Sequence, residues 1–116
     1  MTYEGSCHCG AVTFTVEGDA PAKAMSCNCS HCRRKAFLLT FTPADTFTLT
    51  AGEDALTDYF FHDHKIAHRF CKTCGCQVHG EGKGPDGTPI IALNLRCVPA
   101  IDLDKLEIEK VDGASF

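Results

Sequence analysis

Three short segments hold every cysteine of the chain but one: CHC at 7–9, CNCSHC at 27–32 and CKTCGC at 71–76, with Cys97 standing alone. Thiols so closely spaced are oxidised staples, metal ligands or reactive groups. Nine cysteines cannot all pair in disulfides. The opening MTYEGSCHCG has neither the basic nor the apolar region of a secretory signal. A cytoplasmic location is therefore expected, where thiols stay reduced or bind metal. Cys-x-x-Cys and Cys-x-Cys in tight turns can aim two thiolates at one tetrahedral ion, and zinc takes four such ligands in structural sites. In CHCG and CKTCG a glycine follows the second cysteine, which lets the chain turn with positive φ. Two such pairs predict one closed four-cysteine zinc site of Cys7, Cys9, Cys71 and Cys74.

Cys27, Cys29 and Cys32 remain, with no evident fourth ligand beside them. Three protein ligands and an open position mark a catalytic or ligand-binding zinc. Spacing alone leaves other partitions open, because Cys76, His31, His79 or Cys97 could close this second site. With two sites, two zinc ions per chain are expected. An open three-thiolate site gives the ion a net negative ligand set and weakens it as a Lewis acid. Exchanging water for another thiol suits it better than hydrolysis does. The incoming thiol would lose its proton on binding. A small thiol, or an adduct of one, is the substrate class this implies.

The elements that must position these thiols read as strands. Length 116 predicts one domain over 1–116. In AVTFTVEG, Val12, Phe14 and Val16 point one way and Thr13 and Thr15 the other, as in a half-buried strand. AFLLTF (36–41), DTFTLT (45–50), ALTDYFF (55–61), KIAHRF (65–70), TPIIALNL (88–95) and LEIEKV (106–111) read as further strands. AGED (51–54) is a turn, GEGKGPDG (80–87) a Gly-rich hairpin tip, and VPAIDLDKL (98–106) holds at most one helical turn. The fold class is all-β, with the cysteines at strand ends and turns. A formal net charge of −4 disfavours nucleic acid as a partner, and no apolar run approaches the roughly 20 residues of a membrane span.

GSCHCGAVTF, CNCSHCRR and RFCKTCG, in that order, resemble the glutathione-dependent formaldehyde-activating enzyme family, which includes the centromere protein V domain. The resemblance runs from Gly5 to the closing VDGASF. It implies an Mss4-like, zinc-bound β architecture of small antiparallel sheets. It implies a carbon–sulfur lyase acting on S-hydroxymethylglutathione, the adduct of glutathione and formaldehyde. The family pattern puts a structural zinc on the residues matching Cys7, Cys9, Cys71 and Cys74, and a catalytic zinc on those matching Cys27, Cys29 and Cys32. Cys76 and His79 depart from that pattern.

The remaining candidates have competing readings. Arg33, Arg34 and Lys35 follow the three-cysteine turn and could dock the carboxylates of a glutathione-like ligand or simply offset the site's negative field. His62, His64 and His68 share strand parity and could move protons or form an ordinary polar face, with Asp63 on the other side. His31, inside its turn, is expected to point outward, and Cys97 to be a small buried side chain. The alternatives to a lyase are a non-enzymatic zinc module for interactions, favoured by a closed second site, and a thiol redox sensor that releases zinc on oxidation.

Overall fold

The structure is a computed structural model that describes residues 1–60 and 66–115. Among these, the strands are β1 (Thr2–Ser6), β2 (Thr13–Glu17), β3 (Lys23–Cys27), β4 (Leu39–Pro43), β5 (Phe47–Ala51), β6 (Leu56–Tyr59), β7 (Ala67–Cys71), β8 (Gln77–Lys83), β9 (Pro89–Asn94) and β10 (Glu107–Val111). One four-residue helix, α1 (Cys32–Lys35), and several single 3₁₀ turns complete them. A three-stranded sheet runs β1-β2-β5 and a seven-stranded sheet runs β10-β3-β4-β9-β8-β7-β6. All pairings are antiparallel except β10 on β3, so the C-terminal strand returns to lie along the strand that ends in Cys27. The fold class is all-β, as the alternation in the sequence predicts.

That alternation builds the core. Val12, Phe14 and Val16 are buried, and Phe14 stacks on Phe47 with ring centroids 5.4 Å apart. Val78 and Leu93 of the larger sheet, with Leu95 and Val98 just beyond it, complete the cluster. Each such side chain contributes roughly 1.5–3 kcal/mol by leaving water.

Sequence and structure differ at three places for local reasons. Phe37 and Leu38 precede β4 instead of opening it, because Ala36 caps α1 in the left-handed conformation at φ 56°. The Gly-rich stretch is mostly strand: Gly80 to Lys83 belong to β8, and only 84–88 turn, with Gly84 N donating to Thr88 O and Gly87 N to Gly84 O. His79 is no surface ligand. It lies 1% exposed in the core, its ring 4.7 Å from that of Phe47 and its Nε2 3.0 Å from Glu81 Oε2.

A bulge decides which side chains face where. Between β7 and β8, Arg69 pairs with His79 but Phe70 pairs with Gln77, so the register slips by one. In an even strand Gln77 and His79 would share a face. The extra residue turns Gln77 to the face of His68 and Phe70, where its Nε2 lies 3.4 Å from His68 Nδ1. His79 stays with Arg69, whose guanidinium donates to Glu81 (2.9 Å), Asp58 (2.9 Å) and Glu53 (3.2 Å).

Burial holds the His79 imidazole below its ordinary 6.5, with Glu81 only partly opposing. The unfolded chain therefore takes up this proton first as pH falls. The stability His79 contributes as a neutral group is complete above 6.5 and declines below it. Burial would raise Glu81, but Arg69 and His79 hold it under its ordinary 4.5, so its share is lost only below that pH. Denaturant titrations of wild type and His79→Phe across pH 4.5–7.5 are expected to show the variant gaining on wild type as pH drops below 6.5. A stability difference independent of pH would contradict this account.

Candidate functional site

The first thiol group joins the two sheets. Cys7 follows β1, Cys9 sits in the turn closed by Gly10 N to Cys7 O, Cys71 ends β7, and Cys74 sits in the turn closed by Gly75 N to Cys71 O. Gly10 and Gly75 take φ of 82° and 81°, as the CHCG and CKTCG spacing predicts. The four sulfurs lie within 4.8 Å of one another. A tetrahedral ion with bonds of about 2.3 Å to sulfur needs sulfurs ~3.8 Å apart. Cys7–Cys9 and Cys9–Cys71 are both 3.7 Å apart. Val12 N donates to Cys7 Sγ at 3.3 Å and Cys74 N to Cys71 Sγ at 3.5 Å, the latter holding the Cys71 thiol below its ordinary value. The backbone N–H groups of Cys76 and Cys9 draw the Cys74 thiol down to about 5. Although the Ala11 N–H favours its thiolate, Cys9 is pushed up to about 11 by desolvation and by its sulfur neighbours.

The second group comprises Cys27 at the end of β3, Cys29 in the loop and Cys32 at the start of α1, again with sulfurs within 4.8 Å. Cys29 N donates to Cys27 Sγ (3.5 Å) and Cys32 N to Cys29 Sγ (3.3 Å). Burial opposes ionisation of Cys29, yet the N–H groups of Cys32 and His31 hold its thiol below the ordinary value. Burial, then Cys29 and Cys27, push Cys32 well above it. Among the described residues no fourth His, Cys, Asp or Glu joins this group. Both thiol groups could hold a metal ion.

The chain's end buttresses the second group. Asn28 Nδ2 donates to Asp112 Oδ1 and Asn28 Oδ1 accepts from Ala114 N, each at 2.9 Å, while Asn28 N donates to Val111 O at 3.1 Å. Gly113 is thereby pressed against Cys27, and a Cβ on it would collide with Cys27 Sγ. Asn28 and Gly113 carry no signal in the sequence beyond a glycine near the terminus.

Two hollows meet at Ser30, His31 and Gln77. One of about 730 Å³ is floored by Leu39, Phe41, His68, Gly80 and Ala92 of the larger sheet and reaches all three cysteines. The other, about 490 Å³, is lined by Arg34, Lys35, Tyr59 and Phe70. Ser30, His31 and Gln77 belong to both. Lys35 Nζ lies 5.3 Å from the Phe70 ring centroid, and Arg34 Nη1 donates to Ser30 O at 2.8 Å. Gln77 was invisible to sequence reasoning because only the bulge brings it here.

Of the other candidates, His31 does not point outward. Its ring packs 4.2 Å from His68, 5.6 Å from Phe37 and 5.7 Å from Tyr59, and it joins neither thiol group. Burial, then His31 and Lys35, lower His68 to about 4, so it is neutral at pH 7. His62, Asp63 and His64 lie outside the described residues. Cys76 packs against the core and its carbonyl accepts from Cys71 N. Cys97 Sγ donates to Gln77 O at 3.7 Å and burial pushes its thiol up to about 12, as fits an inert side chain. His79, Cys76 and Cys97 do not close the second group among the described residues.

A crystal structure of a Rhodobacter sphaeroides protein superposes with a TM-score of 0.77 at 27% identity, covering 91% of this chain and 99% of that one. A Halomonas elongata protein, provisionally named a glutathione-dependent formaldehyde-activating enzyme, is 53% identical over 36 residues, a stretch that is 31% of this chain and 23% of that protein. The model of the family described as "Glutathione-dependent formaldehyde-activating enzyme" matches residues 2–102, a span that contains both thiol groups. The chain belongs to the glutathione-dependent formaldehyde-activating enzyme family.

Proposed function

We propose that this chain is a zinc-dependent carbon–sulfur lyase that makes or breaks S-hydroxymethylglutathione. The observation that carries the reading is the second thiol group: three converging cysteines, no fourth ligand among the described residues, and a hollow opening directly on them. Cys7, Cys9, Cys71 and Cys74 would hold a structural zinc, and Cys27, Cys29 and Cys32 a second, catalytic one. Zinc bound there would supply an exchangeable position that stabilises a substrate thiolate.

Arg34 and Lys35 face the smaller hollow with charge complementary to glutathione's carboxylates. His68, lowered to about 4, lines the hollow as an uncharged group, and water in the open hollow would take the hydroxyl proton of the adduct. As that proton leaves, the O–H electron pair closes the C=O bond of formaldehyde and the C–S pair departs with sulfur as thiolate. Condensation is the reverse. Half-burial of the second group and the N–H donors to Cys27 Sγ and Cys29 Sγ would hold these side chains in place around an ion whose remaining position exchanges. Nine unpaired cysteines suit a reducing compartment such as the cytoplasm. Among the described residues no helix is long and apolar enough to cross a membrane.

Cobalt in place of zinc gives a direct test. Loading is expected to reach two ions per chain, and glutathione to shift the thiolate-to-cobalt bands of one of them. Cys32→Ser should keep one ion and lose the glutathione response, together with the accelerated exchange between free and adduct formaldehyde seen by NMR. Unchanged spectra at millimolar glutathione would sink the proposal.

Gly113→Ala offers a second test away from the ligands themselves. Its methyl group would displace Cys27 Sγ. Metal analysis is expected to show the second ion held at least about tenfold more weakly while the first is retained, because misplacing one ligand disturbs the site it supports. Equal retention of both ions would contradict the role given to the C-terminal segment.

A further inference from the structure

The two hollows differ in chemistry, and a formaldehyde adduct would fill little of the larger one. The smaller is cationic, with Arg34 and Lys35 beside Phe70 and Tyr59. The larger, about 730 Å³, has walls mainly of Met25, Phe37, Leu39, Phe41, Ile66 and Val111. Its depth has a sequence cause. Along one row of the sheet His68 pairs with Gly80, Gly80 with Ala92 and Ala92 with Phe41. Placing glycine and alanine mid-row removes side-chain volume from the middle of the face, directly in front of the cysteines. Phe41 and Ile66 on its rim remain 49% and 46% exposed, more than core side chains of this size ordinarily are. A hydroxymethyl group adds one carbon and one oxygen to the sulfur. It would leave nearly all of this apolar volume to water.

At the junction stands Gln77, 6% exposed and lining both hollows. Its Nε2 faces His68 Nδ1, but its Oε1 has no hydrogen-bond partner. Exchanging the two ends of the amide would only move the deficit to the nitrogen. A buried amide with one end unsatisfied is costly, which points to a partner that arrives with the ligand. A hemithioacetal, R–S–CH(OH)–R′, offers a hydroxyl donor one atom from the sulfur.

We propose that the preferred ligand is the hemithioacetal of an anionic thiol with an aldehyde larger and more apolar than formaldehyde. The thiol's carboxylates lie against Arg34 and Lys35, its sulfur faces Cys27, Cys29 and Cys32, its hydroxyl meets Gln77, and the aldehyde's hydrocarbon fills the hollow over Gly80 and Ala92. This deepens the lyase reading and rests on it. The chemical step is unchanged: the hydroxyl, held by Gln77 until then, gives its proton to water, the O–H pair forms the C=O bond, and the C–S pair leaves with sulfur as thiolate.

Stable thioethers test the pocket without turnover. Calorimetric titrations of the zinc-loaded protein would compare glutathione, S-methylglutathione and S-hexylglutathione. Five further methylenes entering an apolar hollow are expected to tighten binding of the hexyl over the methyl thioether at least about tenfold. Ala92→Leu, which fills the floor, should reduce that advantage to about threefold or less. If glutathione binds but the two thioethers are equal, the larger-aldehyde proposal is overturned and the lyase reading stands. If neither glutathione nor either thioether binds, both fall together.

Discussion

Crowded thiolates repel one another, and the whole structure is arranged around that repulsion. Seven sulfurs are gathered into two groups, each within a 4.8 Å span. Backbone N–H groups favour the charged form at some of them, while burial and neighbouring sulfurs resist it at others. Like charges so close cannot all ionise unless a cation is shared between them. The sulfur spacing in the first group is already that of a tetrahedral ion's ligands. Cation binding at such a site is folding free energy, because the unfolded chain has no preformed site. The first group draws its ligands from beside β1 and β7, on different sheets, so an ion there would couple the two sheets directly.

The second group is built differently. Its three cysteines fall within six residues, so it cannot staple distant elements by itself. Long-range order comes instead from β10, which pairs in parallel with β3, and from Asn28 clasped by Asp112 and Ala114. Rigid support of this kind would suit a ligand set that keeps one position for exchange. Ligands on a short loop can be held to the small tolerances that chemistry needs only when neighbouring elements fix the loop. Closure by a fourth cysteine or histidine, which would favour a purely structural module, is not found among the described residues.

The gathering of seven cysteines into two groups that could hold a metal was legible in the sequence because knuckle geometry is local. Cys-x-Cys-Gly and Cys-x-x-Cys-Gly encode their own turns, and Gly10 and Gly75 take the positive φ those turns demand. The strands β2, β5, β9 and β10 were legible because alternation is local too. What escaped depends on long-range pairing. β1 carries the unremarkable TYEGS, and β3 has KAMSC, neither of which alternates cleanly. The bulge between Arg69 and Phe70 leaves no trace in residue types, yet it separates Gln77 from His79. His79 looked like a spare ligand in CGCQVHG. In the structure it is a core side chain hydrogen-bonded to Glu81. The hollow over Gly80 was likewise hidden, since a glycine in GEGKGPDG reads as turn chemistry until the register places it opposite Ala92.

That one-residue slip links the core to the site. Its outward turn gives Gln77 to the hollow, and its inward turn gives His79 to the Arg69 carboxylate cluster. The two faces of β8 therefore carry opposite electrostatic tasks. On the His79 face Arg69 pairs with three carboxylates, Glu53, Asp58 and Glu81, so the cluster carries a net negative charge. On the open side, Arg34 and Lys35 are the nearby cations and are not neutralised by that cluster. An anionic ligand approaching the second thiol group would meet the positive charge of Arg34 and Lys35 beside it, while the negative cluster lies on the opposite face of the sheet. Burial keeps His68 uncharged in the same floor, so it neither adds to that attraction nor repels a proton. Positive charge on one side and an uncharged floor on the other would suit an anionic ligand that also carries an apolar part.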